Sequence, residues 1–225
     1  MRKLISYYIS ANQLAKFAKA TIAGKKSIIR DQKKPNKFLI PWYQKAKGAI
    51  KKLFGNIDNH EPINDAIEYL KSKIPQNDRQ RIDIRSSIDA LLLMKQIKLP
   101  GVLNDMQYKL ITTDSKGFTL NGVEVKVAPE IIIYGECQNK KVVGAVKVHI
   151  CKGKPFDYDQ CGYVSLMIYK YLKTQFTDGS EVMPELCLCL DVFSKRVVCL
   201  PDNIEKINKE LEQFCEEIKV LWNVA

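Results

Sequence analysis

The stretch APEIIIYGECQNKKVVGAVKVH, residues 128–149, decides how this chain is read. Two apolar runs flank the polar pair Gln138-Asn139, and side chains along a strand alternate between faces. If that pair forms a two-residue turn, the strands meet with Glu130 opposite Lys147. Tyr134, Glu136, Ala145 and His149 then share their face, while Ile131, Ile133, Val146, Val148 and Ile150 take the other. The second face is core. The first is either open to water or a site, and a one-residue slip would separate the pair.

The flanking segments supply the rest of a sheet and its covering helices. Upstream, INDAIEYLKSKI (63–74) and DRQRIDIRSSIDALLLMKQI (78–97) read as helices, the second with Ile84, Ile88, Leu91 and Leu92 at helical spacing. Pro100-Gly101 ends it, and the period falls to two in YKLITTD and FTLNGVEVKV, where Asn121-Gly122 marks a hairpin turn. Downstream come a helix at about 158–175, the strand ELCLCLDVF, the short strand RVVCLP and a closing helix through Trp222. This order predicts a mixed β-sheet flanked by helices, an α+β or α/β fold. The helix after residue 158 permits a parallel crossover beside the Lys147 strand.

Charge is distributed unevenly. The 225 residues carry a net charge of +11, yet residues 1–54 hold 14 Lys or Arg against the single acid Asp31. That block is patterned as folded helices. Ser10 and Gln13 form a capping box ahead of Leu14, Phe17 and Ala18, and Ile28 and Ile29 anchor a second helix before Pro35. Trp42, Ala46, Ala49, Ile50 and Leu53 line one side of a third. The chain divides into a basic helical region (1–54), a helical connector (55–77) and an α/β core (78–225). Lys16, Lys19, Lys25, Lys26, Arg30, Lys33, Lys34, Lys45, Lys51 and Lys52 are candidate nucleic-acid contacts. A solvated cationic face, docking on an acidic protein partner, oligomerisation and a membrane-surface role are the alternatives.

Several classes are disfavoured. No apolar run approaches the roughly 18 residues of a membrane span, and the N-terminus lacks a secretory h-region, so a cytoplasmic protein is expected. Seven cysteines without a C-x-x-C pair argue for a reducing compartment. A zinc site from Cys137, His149, Cys151 and Cys161 fits no standard spacing; buried thiols and a hydrogen-bonded strand histidine are the simpler expectation. There is no glycine-rich phosphate loop, G-x-S-x-G elbow or H-E-x-x-H motif.

Pro129-Glu130 opens the second core strand and Lys147 lies on the third. A helix bearing Gln160 and Tyr163 follows, and then another strand. Over roughly residues 78–193 this order resembles the PD-(D/E)XK nuclease superfamily, which implies a restriction-endonuclease-like core. The resemblance implies Mg or Mn bound by Glu130, water orientation and phosphate charge stabilisation by Lys147, and a supporting role for Gln160. Phosphodiester cleavage needs a Lewis acid, an activated water and a cation at the scissile group. The chain departs from the pattern at Ala145, where it calls for a second acid, so Glu136, Asp157 or Asp159 would have to supply the ligand. Glu130, Glu136 and Asp159 form the expected metal set. Tyr163 follows Gln160 by three residues where the pattern has four, and the literal triplet Glu124-Val125-Lys126 precedes another strand rather than a helix. Three functions are expected. The first is a metal-dependent nuclease or nuclease-like protein acting on DNA or RNA, in mobile-element or antiviral defence. The others are a non-catalytic nucleic-acid-binding protein and an interaction protein with an acidic partner. The Glu130–Lys147 pair is equally readable as a cross-strand salt bridge of under about 1 kcal/mol.

Overall fold

A computed structural model describes residues 6–35 and 41–224. The chain runs β1 (Tyr7–Ser10), α1 (Ala11–Ala18), α2 (Ile22–Lys33), α3 (Gln44–Leu53), α4 (Glu61–Ser72) and α5 (Asp78–Met94). After a short 3-10 turn at Gly101–Leu103 come β2 (Gln107–Ile111), β3 (Gly117–Leu120), β4 (Val123–Lys126), β5 (Ile131–Cys137) and β6 (Lys140–His149). The C-terminal part is α6 (Tyr158–Gln175), β7 (Glu181–Asp191), β8 (Arg196–Val198) and α7 (Ile204–Val224).

The hairpin forms in the expected register. Cys137 pairs with Lys140 and Ile131 with Val146 across antiparallel β5 and β6. Gln138 and Asn139 both take left-handed conformations, φ 50° and 60°, as a tight turn matching the strand twist requires. β5 and β6 lie inside a five-stranded sheet ordered β2-β5-β6-β7-β8. Its one parallel pair, β6 with β7, is closed by the α6 crossover. The second sheet, β1-β4-β3, is also mixed, because β1 joins β4 in parallel. The architecture is α+β.

Both faces of the main sheet are covered. Ile131, Ile133, Val142, Val146 and Val148 pack on one side with Ala49, Ile50 and Leu53 of α3, Ile63 and Ala66 of α4, and Leu91 of α5. Ile132, Val143 and Ala145 pack on the other with α6 and with Leu14 and Phe17 of α1. The face carrying Glu130 and Lys147 is therefore core along its middle, with Glu136 and Lys141 near the turn and Glu130, Lys147 and His149 at the end where β6 finishes. Leu92, expected inside, is 48% exposed, and Ile84 and Ile88 are only half-buried, because Ala90, Leu91 and Met94 take the inward face of α5.

The basic N-terminal segment is woven into both cores rather than appended. Ser10 caps α1 by accepting a hydrogen bond from the Gln13 N–H at 3.3 Å. β1 then extends the small sheet, while α3 joins the opposite layer. The Glu124–Lys126 triplet lies on β4 of the small sheet, with both charged side chains exposed.

Gln138 bears a Cβ in a conformation that glycine adopts freely. Gln138→Gly is expected to stabilise the protein by up to about 1 kcal/mol, read as a raised urea midpoint at unchanged slope.

Candidate anion-binding site

Glu130 lies just before β5, where its N–H continues the ladder to the Val146 carbonyl at 3.1 Å. Its carboxylate makes three contacts. Oε2 accepts from the Val148 N–H at 2.9 Å, and Oε1 accepts from Lys47 Nζ at 3.0 Å and lies 3.5 Å from Lys147 Nζ. Lys147 also donates to the Ala128 carbonyl at 2.7 Å. Ala128 itself takes a left-handed conformation, φ 41°. Burial pushes the Lys147 ammonium below its ordinary pKa; Glu130 opposes that shift and Lys47 adds to it. Two cations meet one carboxylate, so the cluster is net positive.

Two residues further along β6, His149 is stacked flat on Phe156, with ring centroids 3.6 Å apart and planes within 4°. The parallel register sets it beside Asp191 of β7, and Nδ1 lies 2.5 Å from Asp191 Oδ2. Asp191 is wholly buried and also accepts from the N–H of Phe156 and from the N–H and Oγ of Ser194, each at 2.8 Å. Burial alone would raise the Asp191 pKa, but these hydrogen bonds outweigh it and hold the carboxyl below its ordinary value. Burial likewise holds His149 below its ordinary value. Its bond to Asp191 opposes this, while Lys16 and Lys47 reinforce it. The pair is thus an ionised Asp191 accepting the Nδ1–H of a neutral His149.

A cavity of about 480 Å³ opens beside this pair. Lys16 of α1, Lys47 of α3 and Lys152 after β6 line it, together with Asn12, Trp42 and His149. Lys47 links it to the Glu130 cluster. Lys152 pairs with Asp89 at 2.7 Å, and no residue among those described pairs with the Lys16 ammonium. With cationic side chains and no acid among its lining residues, the cavity suits an anion.

The other expected site residues sit elsewhere. Gln160 completes a capping box with Asp157 and donates from its amide to the Ala15 carbonyl at 3.0 Å, so it ties α6 to α1. Asp159 is held by Lys19 at 2.7 Å. Glu136 faces Lys141 near the turn, about 20 Å along the strand from Glu130. These carboxylates do not converge. Among the described residues no group of three or more His, Cys, Asp or Glu side chains is placed to hold a metal ion, and all seven cysteines are free. Position 145, where the motif calls for an acid, is 0% exposed and pairs with Ile132 and Cys187. Glu130, Glu136 and Asp159 are thus not gathered as the expected metal set.

The expected cationic contacts divide in two. Lys19, Lys25, Lys33 and Lys45 are used internally, on Asp159, on Glu217, on the Trp222 carbonyl and over the Tyr69 ring respectively. Lys26, Arg30, Lys34, Lys51 and Lys52 form no ion pair among the described residues, and Lys16 lines the cavity. Asp191, Lys47 and Asn12 were not singled out as site residues by sequence. The one signal available for Asp191 was an acid ending the apolar run LCLCLD beside a strand ending in histidine.

Removing Glu130 leaves two cations facing each other and the Val148 N–H unpaired. Glu130→Leu is expected to cost about 3–5 kcal/mol, whereas Lys147→Met, which retains the volume, costs about 1 kcal/mol or less; equilibrium unfolding in urea gives both values. His149 takes up a proton less readily folded than unfolded. Its stabilising contribution is therefore complete above its unfolded pKa of about 6.5 and is lost as pH falls through the lower folded value. Between pH 7.5 and 5.5 the unfolding free energy should fall, and His149→Gln should flatten that dependence.

No protein-family model matches the chain, and a search of curated proteins finds no significant relative.

Proposed function

We propose that the protein binds nucleic acid through its cation-lined cavity and does not cut by a metal-dependent route. The convergence of Lys16, Lys47 and Lys152 on one cavity next to the net-positive Glu130 cluster carries this reading. Three segments distant in sequence supply those ammonium groups, as expected of a surface assembled to hold phosphates. Trp42, 37% exposed on the cavity wall and with the Arg79 guanidinium over its ring 5.3 Å from the centroid, offers an aromatic and cationic platform for a base. The resemblance of residues 78–193 to PD-(D/E)XK nucleases is a further motive for the reading, and it rests on the sequence order of Glu130, Lys147 and Gln160. That resemblance remains one of order, since Ala145 and the dispersed carboxylates supply no metal ligands. The part played by such a protein in mobile-element or antiviral defence is a corollary of the resemblance alone.

Binding of fluorescent single- and double-stranded DNA and RNA across a salt series tests the reading. Contact with three to five phosphates gives a log–log slope of about −2 to −4. Lys16→Ala combined with Lys152→Ala should weaken binding about tenfold and flatten the slope by about 1–2. A salt-independent or undetectable interaction refutes the proposal. Cleavage in Mg or Mn that is abolished by Lys147→Ala would replace it with a metal-dependent nuclease.

A further inference from the structure

The same cavity holds two buried acceptors that the protein itself does not satisfy. His149 is 4% exposed, and its Nε2 has no hydrogen-bond partner among the described residues. Because the neutral ring keeps its proton on Nδ1 and donates it in a hydrogen bond to Asp191, Nε2 is left as a lone-pair acceptor. Asn12 Oδ1 is also buried without a partner, and Asn12 lines the same cavity. Unpaired acceptors away from bulk water favour a ligand that brings N–H or O–H donors. Lys16 has no ion-pair partner among the described residues and, with Lys47 and Lys152 beside it, favours an anion, while the Trp42 ring suits a flat, apolar body. A ligand with all three properties carries a negative group, a planar ring and at least two N–H donors.

We propose that this cavity is a pocket for one nucleotide, its phosphate among Lys16, Lys47 and Lys152, its base beside Trp42, and a base amino group donating to His149 Nε2 and Asn12 Oδ1. The inference rests on the nucleic-acid reading above and narrows it to a single recognised residue, either a free nucleoside phosphate or a strand end. The cavity volume lies within the range of about 300–1,000 Å³ usual for small-ligand sites. Two acceptors on residues lining one cavity discriminate between bases. Adenine and cytosine offer an amino group with two hydrogens and guanine an amino group beside a ring N–H, whereas uracil offers a single ring N–H. The pocket therefore favours amino-bearing bases over uracil or thymine.

Isothermal titration of the full chain with AMP, CMP, GMP, UMP, cytidine, ribose 5-phosphate and inorganic phosphate tests this. Saturable binding of CMP and AMP is expected, stronger than that of UMP by about fivefold or more and stronger than that of ribose 5-phosphate by about tenfold. Lys16→Ala should weaken every nucleotide by about tenfold. Asn12→Leu and His149→Gln should erase the CMP-over-UMP preference, and Asn12→Leu alone suffices should the histidine variant fold poorly. Competition by a linear strand but not by a circular one of equal length identifies a strand end as the occupant. Displacement by neither identifies the free nucleotide as the occupant and refutes strand binding through this cavity. Inorganic phosphate binding as tightly as CMP, or no nucleotide heat at millimolar concentration, overturns the proposal. If strand binding keeps its steep salt slope while mononucleotides fail, only the pocket is refuted; if both are absent, both readings fall.

Discussion

The two-residue turn at Gln138–Asn139 fixes the face on which every side chain of β6 lies, and the site depends on that choice. A slip of one residue would carry Lys147 and His149 into the layer of α3, α4 and α5, and would drive Val146 and Val148 against α6. The parallel partner adds a second constraint. β6 and β7 pair with an irregularity between Val143 and Ala145, where a Cβ on Gly144 would overlap Leu186. Glycine lets the strands close there, and beyond it His149 comes level with Asp191. Turn and bulge together align one strand so that an ammonium and an imidazole emerge at its end.

Electrostatics at that end are held by unequal numbers. Glu130 satisfies Lys147 and recruits Lys47 from α3, and the Ala128 carbonyl takes a further bond from Lys147. Burial of so much positive charge is tolerable because every buried donor in the cluster has an oxygen to point at. The carboxylate has correspondingly little left to give. A divalent ion would have to displace one or both ammonium groups from Oε1, against the field of the lysines nearby.

Much of this was legible in sequence, for local reasons. Alternation and a polar pair fix the hairpin register, and a capping pattern fixes the start of α1. The α+β order followed from the change of period after Pro100. What escaped depends on contacts remote along the chain. Lys47 reaches Glu130 across 83 residues and His149 reaches Asp191 across 42, and no spacing rule connects either pair. The basic segment shows the same limit. Its charge suggested one cationic platform, yet Lys19 and Lys25 bind Asp159 and Glu217, acids of the C-terminal half, and so part of that charge serves as internal adhesive. Composition counts charges but not their partners.

Ala145 bears on what the site can do. It is packed between Ile132 and Cys187, and an ionised acid there would need a strong counter-charge to offset its burial. A metal ion would provide that charge, so an acid at this position and a metal beside it would depend on each other. On the nucleic-acid reading, lysines take over the part of the metal that neutralises phosphate. They cannot take over the part that activates water, because an ammonium does not make bound water acidic as a divalent ion does. Cation-lined and acid-poor, such a cavity holds phosphate esters more readily than it hydrolyses them, and selectivity then falls to the unpaired acceptors His149 Nε2 and Asn12 Oδ1.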